Sequence, residues 1–143
     1  MNPKIRIATY NIFLRLQRWE ERLPLIIKEL DQLDADIICL QEVVLPRNTA
    51  QEVASGLKHK YFVTVVSRDG HLAEDDKAIA VLSKKKPIEV SSLVLGSSEK
   101  RVAMRVTFRY GVKEFDVINT HLYWKPYNPL HKTVRLYQVK RIL

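Results

Sequence analysis

Cysteine is nearly absent from this sequence. Cys39 is the only one in 143 residues, so no disulfide can form within the chain, and a small disulfide-stapled secreted fold is excluded. Its thiol lies in Asp36-Ile37-Ile38-Cys39-Leu40. That apolar run reads as a core strand, so the role expected of Cys39 is packing. A reducing, cytoplasmic setting follows as the expectation. Long hydrophobic runs are lacking too, and no stretch is long enough to cross a bilayer. Met-Asn-Pro-Lys-Ile-Arg leads into an alternating strand, without the apolar core of a signal peptide. Internal repeats, linkers and low-complexity tracts are also missing.

Acid is missing from the C-terminal region. No Asp or Glu follows Asp116, and Lys125, Lys132, Arg135, Lys140 and Arg141 supply +5 of the net +8. Such a stretch suits a phosphate-facing surface. It equally suits a surface whose acidic partners lie elsewhere, or an ordinary solvated helix face. A stop signal is lacking as well. Arg141-Ile142-Leu143 contains no Gly, Asn or Pro, and the apolar pattern of the last helix is still running there.

What is present is a globular composition, 46% hydrophobic and 28% charged, with length for one domain and one modest core. Residues 4–10 alternate as a strand and deliver Asn11 at its end. Ile26, Ile27, Leu30 and Leu33 form one apolar helical stripe over 23–33, with Pro24 in the first turn. Residues 37–41 are nearly all apolar, as in a strand covered on both faces, and Glu42 follows. A helix over 49–58 takes Asn48 as its N-cap. Strands are expected at 61–66, 77–83, 88–95, 101–110 and 114–120, and a helix at 130–143. Val102, Met104, Val106 and Phe108 alternate with Ala103, Arg105, Thr107 and Arg109, one set toward a core and one toward solvent. Lys84-Lys85-Lys86-Pro87 reads as a turn or strand edge whose lysines are solvated or discourage edge pairing.

Asn11, Glu42 and His121 share one property: each stands just past an apolar strand. In layered α/β folds the strand ends on one edge form the usual site. A carboxylate beside an amide is a hard-oxygen pair suited to Mg²⁺ or Mn²⁺. A histidine nearby can transfer a proton or offset phosphoryl charge. Taken singly, each is as easily a strand or turn cap.

The segments Thr9-Tyr10-Asn11-Ile12, Asp34-Ala35-Asp36-Ile37-Ile38-Cys39-Leu40-Gln41-Glu42-Val43, Ala80-Val81-Leu82-Ser83 and Asn119-Thr120-His121-Leu122 occur in that order. Together they resemble the endonuclease/exonuclease/phosphatase superfamily. Arg135 and Gln138 resemble the Arg-x-x-Gln that often follows the histidine there. The resemblance implies a four-layer α/β sandwich and metal-dependent cleavage of phosphate esters in a nucleic acid, phospholipid or inositol phosphate. It implies that Glu42 binds the metal and that Asn11 and His121 are catalytic. It further implies substrate contacts from Asn119 and Arg135.

Two departures accompany the resemblance. Members with this histidine often carry a glutamate that orients the imidazole, where this chain has Lys77, so the role would pass to Asp76 or Glu74. The later Gly-Asp-Phe-Asn and Ser-Asp-His motifs are absent. The expectation is therefore a single truncated domain over 1–143. It would be half of the sandwich, one mixed and largely antiparallel sheet with helices on one face, and inactive or incomplete alone. Its open apolar sheet face would be covered by the missing C-terminal half or by a homodimer. The alternative is a non-catalytic interaction or nucleic-acid-binding module. Tyr123, Trp124 and Tyr127 are expected to pack over the sheet edge rather than line a substrate groove.

Overall fold

The computed structural model describes residues 4–68, 77–96, 101–125, 127 and 129–143. In chain order these form β1 (Ile7–Asn11), α1 (Trp19–Leu33), β2 (Ile37–Val44), α2 (Thr49–Gly56), β3 (Phe62–Ser67), β4 (Lys77–Ser83), β5 (Glu89–Val94), β6 (Val102–Tyr110), β7 (Lys113–Thr120) and α3 (His131–Ile142). The α/β class agrees with the expectation, and the β1-α1-β2 unit is parallel. Asn48 caps α2, its side-chain oxygen accepting from the Gln51 N–H at 3.3 Å. Helix α1 starts earlier than its stripe suggests, so Pro24 lies inside it rather than in its first turn.

The single mixed sheet expected from the sequence divides in two. One sheet has the order β1-β2-β4-β3 and the other β5-β6-β7. Alternation explains how they stack. On β2 and β4, Ile38, Leu40, Ala80 and Leu82 face α1 and α2, packing on Ile26, Leu30, Ala50 and Val53. Ile37, Cys39, Ile79 and Val81 face the opposite way and meet Val102, Met104, Val106 and Phe108 of the second sheet. The face expected to be open is therefore closed by the chain's own β5-β6-β7. Cys39 is 6% exposed in this core, and burial pushes its thiol up to about 11.

The outer face of the second sheet is polar near the β6–β7 turn. There Arg109 reaches Glu114, and Arg105 reaches Glu89 at 3.0 Å. Toward the other end Leu93, Ala103 and Ile118 line a groove with Ser91, Ser92, Arg105 and Ile142 of α3. Helix α3 thus lies on the side opposite α1 and α2. The lysine run lies between β4, an inner strand of the first sheet, and β5, an edge strand of the second. Lys84 bonds to Asp34 at 2.9 Å, and the Lys85 ammonium sits 4.5 Å above the Tyr110 ring. Of the three aromatics after His121, only Tyr123 is packed. Trp124 and Tyr127 are 61% and 98% exposed, contrary to the packing role expected of them.

Candidate active site

The site begins with a fault in a strand. Strand β2 pairs Leu40 with Ala80 but Val43 with Ala78, so one extra residue is inserted between them. Unbroken alternation would continue Ile38 and Leu40 with position 42, turning Glu42 into the apolar layer under the helices. A buried, unpaired carboxylate there would cost several kcal/mol. The bulge brings Val43 into that layer instead and turns Glu42 outward at φ +60°. A left-handed backbone at a non-glycine residue costs roughly 1–2 kcal/mol, so the bulge is the cheaper solution. Glu42 thus lies within β2 at the bulge, not beyond the strand end as its sequence position suggests.

The carboxylate is held from two sides. Leu14 N–H donates to Oε2 at 2.8 Å, and the Asn11 amide donates to Oε1 at 3.0 Å. Asn11 is the last residue of β1, and its side-chain Oδ1 accepts from the Phe13 N–H at 3.0 Å. His121 follows β7 and places Nε2 3.9 Å from Glu42 Oε1. Three residues expected to act together are therefore together. Burial opposes the charge on Glu42, but the Leu14 and Asn11 hydrogen bonds, with His121 and Arg101, leave its pKa below the usual value. Burial and the Arg101 cation push His121 below 6.5, against the pull of Glu42. At neutral pH the pair is a carboxylate facing a neutral imidazole.

A cleft of about 150 Å³ opens at this point, lined by Glu42, His121, Arg68, Lys77 and Arg101 over an apolar floor. Arg68 and Lys77 come together because β3 and β4 meet there, the Arg68 N–H donating to the Lys77 carbonyl at 2.8 Å. Lys77, where a carboxylate is common, lines the cleft. Asp76 and Glu74, its expected substitutes, lie outside the described residues.

Asn119 is brought near but turned inward, and is 2% exposed. Its amide nitrogen donates to the carbonyls of Leu40 at 3.0 Å and Ala80 at 2.9 Å, where the ladder shifts register. Its oxygen accepts from Gln41 at 2.8 Å, and Gln41 also reaches Thr9 at 3.0 Å. In this structure Asn119 ties the two sheets together. Arg135 is half-buried on α3 and does not line the cleft. Gln138, one turn on, is buried and accepts from the Tyr123 N–H at 2.9 Å.

The model of the Endonuclease/Exonuclease/phosphatase family matches residues 8–142. The chain belongs to this family. No curated protein sequence matches it, but solved structures do. The human Nocturnin catalytic domain, solved with bound sulfate, is similar with a TM-score of 0.76 and 22% identity, over 99% of this chain and 59% of that one. Caenorhabditis elegans TDP2 gives 0.78 and 18%, over 96% and 40%. ANGEL2, a 2′,3′-cyclic phosphatase solved with adenosine-2′,3′-vanadate, gives 0.72 and 21%, over 92% and 45%. At these identities the likeness establishes the fold. The chain spans between about two fifths and three fifths of the length of these structures.

The family members' general use of divalent metals raises the question of fit. Each Glu42 oxygen accepts one hydrogen bond and keeps a further lone pair. One ionised carboxylate is a fit for Mg²⁺, which takes one or two carboxylates and fills its shell with water and phosphate oxygens. Among the described residues, no group of three or more His, Cys, Asp or Glu side chains could enclose an ion. The sequence reading missed Arg101 and the Leu14 N–H. The second carries no side-chain signal. The first was within reach, because the short turn at Gly111 sets a hairpin register that brings residues 101 and 121 to the same end.

Proposed function

We propose that this chain carries the metal-binding and histidine-bearing part of a Mg²⁺- or Mn²⁺-dependent phosphoric ester hydrolase. One observation carries the reading. Asn11 and Glu42, on two strands, and His121, just past a third, converge within hydrogen-bond or ion-pair reach at one end of the sheets. Glu42 would hold the ion, with the Asn11 amide fixing its carboxylate. When bound, the ion supplies charge for polarising phosphoryl oxygens. His121 would donate a hydrogen bond to an oxygen of the ester, and the cations of the cleft would attract the anionic substrate. The phosphodiesterase, phosphatase and nuclease alternatives all need this same set. A cytoplasmic setting accords with the lone, buried Cys39.

We read residues 1–143 as the first part of such a domain, with little hydrolysis expected from it alone. The reading rests on Glu42 being the one carboxylate that lines the cleft among the described residues, and on the fraction of the similar structures that the chain spans. Titration with Mn²⁺ under NMR detection tests the metal site. Broadening of the Leu14 amide and His121 ring signals is expected, and Glu42→Gln should abolish it. Broadening that survives this substitution would remove Glu42 from the site. Robust cleavage of bis-p-nitrophenyl phosphate, sensitive to EDTA and lost in Glu42→Gln, would overturn the claim of incompleteness.

A further inference from the structure

We propose that Arg101 is a positioning residue that fixes the tautomer and orientation of His121, in the role the sequence pattern gives to a carboxylate. The inference rests on the reading of His121 given above. Arg101 places Nη1 3.4 Å from His121 Nδ1. A guanidinium has only donors to offer, so Nδ1 must be the accepting nitrogen. The ring hydrogen of the neutral imidazole is then on Nε2, the nitrogen facing Glu42 Oε1 and the cleft.

The two residues meet because of the hairpin. The turn after β6 sets Gly111 at φ +63°, and the ladder then runs without a shift from Tyr110–Lys113 to Ala103–Thr120. Arg101 lies just before β6 and His121 just after β7. The Thr120 hydroxyl closes this end of the hairpin by donating to the Val102 carbonyl at 2.9 Å. The approach of Arg101 to His121 is thus a product of register.

The chemistry differs from that of a histidine oriented by a carboxylate. A carboxylate at Nδ1 favours the hydrogen there and leaves Nε2 with a lone pair, so that Nε2 can donate only after the ring is protonated. Arginine at Nδ1 leaves the hydrogen on Nε2 in the neutral ring. His121 can therefore donate to a phosphoryl or departing oxygen without first becoming a cation.

Long-range ¹H–¹⁵N correlation spectra of ¹⁵N-histidine-labelled protein, recorded where the imidazoles are neutral, test this directly. The chain has four histidines, and His121→Asn assigns the relevant signals. His121 is expected to show one tautomer with its hydrogen on Nε2. Arg101→Met should move both ring nitrogens toward tautomer-averaged positions, while Arg101→Lys, which keeps a donor, should hold them near the parent values. The other three histidines should not move. A hydrogen on Nδ1 in the parent protein would overturn the proposal, and so would unchanged His121 shifts in folded Arg101→Met. If Arg101→Met fails to fold, the parent spectrum and Arg101→Lys still decide. Failure of the chain to bind metal or cleave esters would count against the proposed function and leave this result standing.

Discussion

The two ends of the four-stranded sheet carry the same kinds of residue and differ in every other respect. At one end Asp34 meets Lys84 at 2.9 Å, His59 at 3.1 Å, Lys58 at 3.7 Å and Arg6 at 3.9 Å. At the other Glu42 meets His121, with Arg68, Lys77 and Arg101 around the same cleft. A carboxylate, a histidine and several cations are present in both. Asp34 ends a helix on the surface, and its partners are mostly flexible side chains in water. Glu42 is held by a backbone N–H and an amide, and its histidine is half-buried on an apolar floor. Composition therefore does not distinguish a site from a surface charge network. Backbone donors and burial do, because they fix geometry and protonation state before any ligand arrives.

The largest test of this contrast is Asn119→Ala. It removes the donor to two buried carbonyls beside the Glu42 bulge, and a loss of about 2–4 kcal/mol in urea unfolding is expected. A loss within about 0.5 kcal/mol, the range of ordinary surface substitutions, would show that the site end needs no such tie.

A smaller effect separates the ends by pH. The folded value of His121 lies below 6.5, so on acidification the unfolded chain takes up this proton before the folded one does. Stability should fall as pH drops through 6.5, until folded His121 also protonates, and His121→Asn should flatten this limb. Asp34 is held below 3.8, chiefly by its Lys84 hydrogen bond. Its contribution is present above 3.8 and lost only as pH falls through the lower folded value. A melting temperature that is flat between pH 7 and 5 in the parent protein would contradict the assignment for His121.

The smallest effect is expected at the far end. Lys84→Met should change stability by less than about 1 kcal/mol, since its ion pairs are at or near the surface. A loss as large as that of Asn119→Ala would erase the distinction between the ends.

Much of this was legible in the sequence. The strands were legible because β-branched alternation reports which face of each residue is covered, and Asn11 and His121 because they interrupt apolar runs at strand ends. The division into two sheets was not, since the pattern of Val102, Met104, Val106 and Phe108 reports burial without naming the partner surface. Glu42 was found, but its bulge was not, because a glutamate gives no sign of a left-handed backbone. The resemblance implied a substrate contact at Asn119, while its hydrogen bonds run into the fold. Arg101 resembled any basic residue at the start of a strand until the hairpin register placed it against the imidazole.

The inward turn of Asn119 has a consequence for how the site would respond to strain. Glu42 belongs to one sheet and His121 to the other, so sliding of the two layers would be expected to change their separation. Yet Gln41 precedes Glu42, Thr120 and His121 follow Asn119, and Gln41 and Asn119 are hydrogen-bonded at 2.8 Å. The acid and the imidazole thus sit at the two ends of a short ring of peptide and hydrogen bonds that bypasses the apolar interior. Shear between the layers would carry both groups along as one unit. The working gap is held locally, so mutations that repack Phe108, farther along the hairpin opposite Phe115, should alter melting before they alter the site.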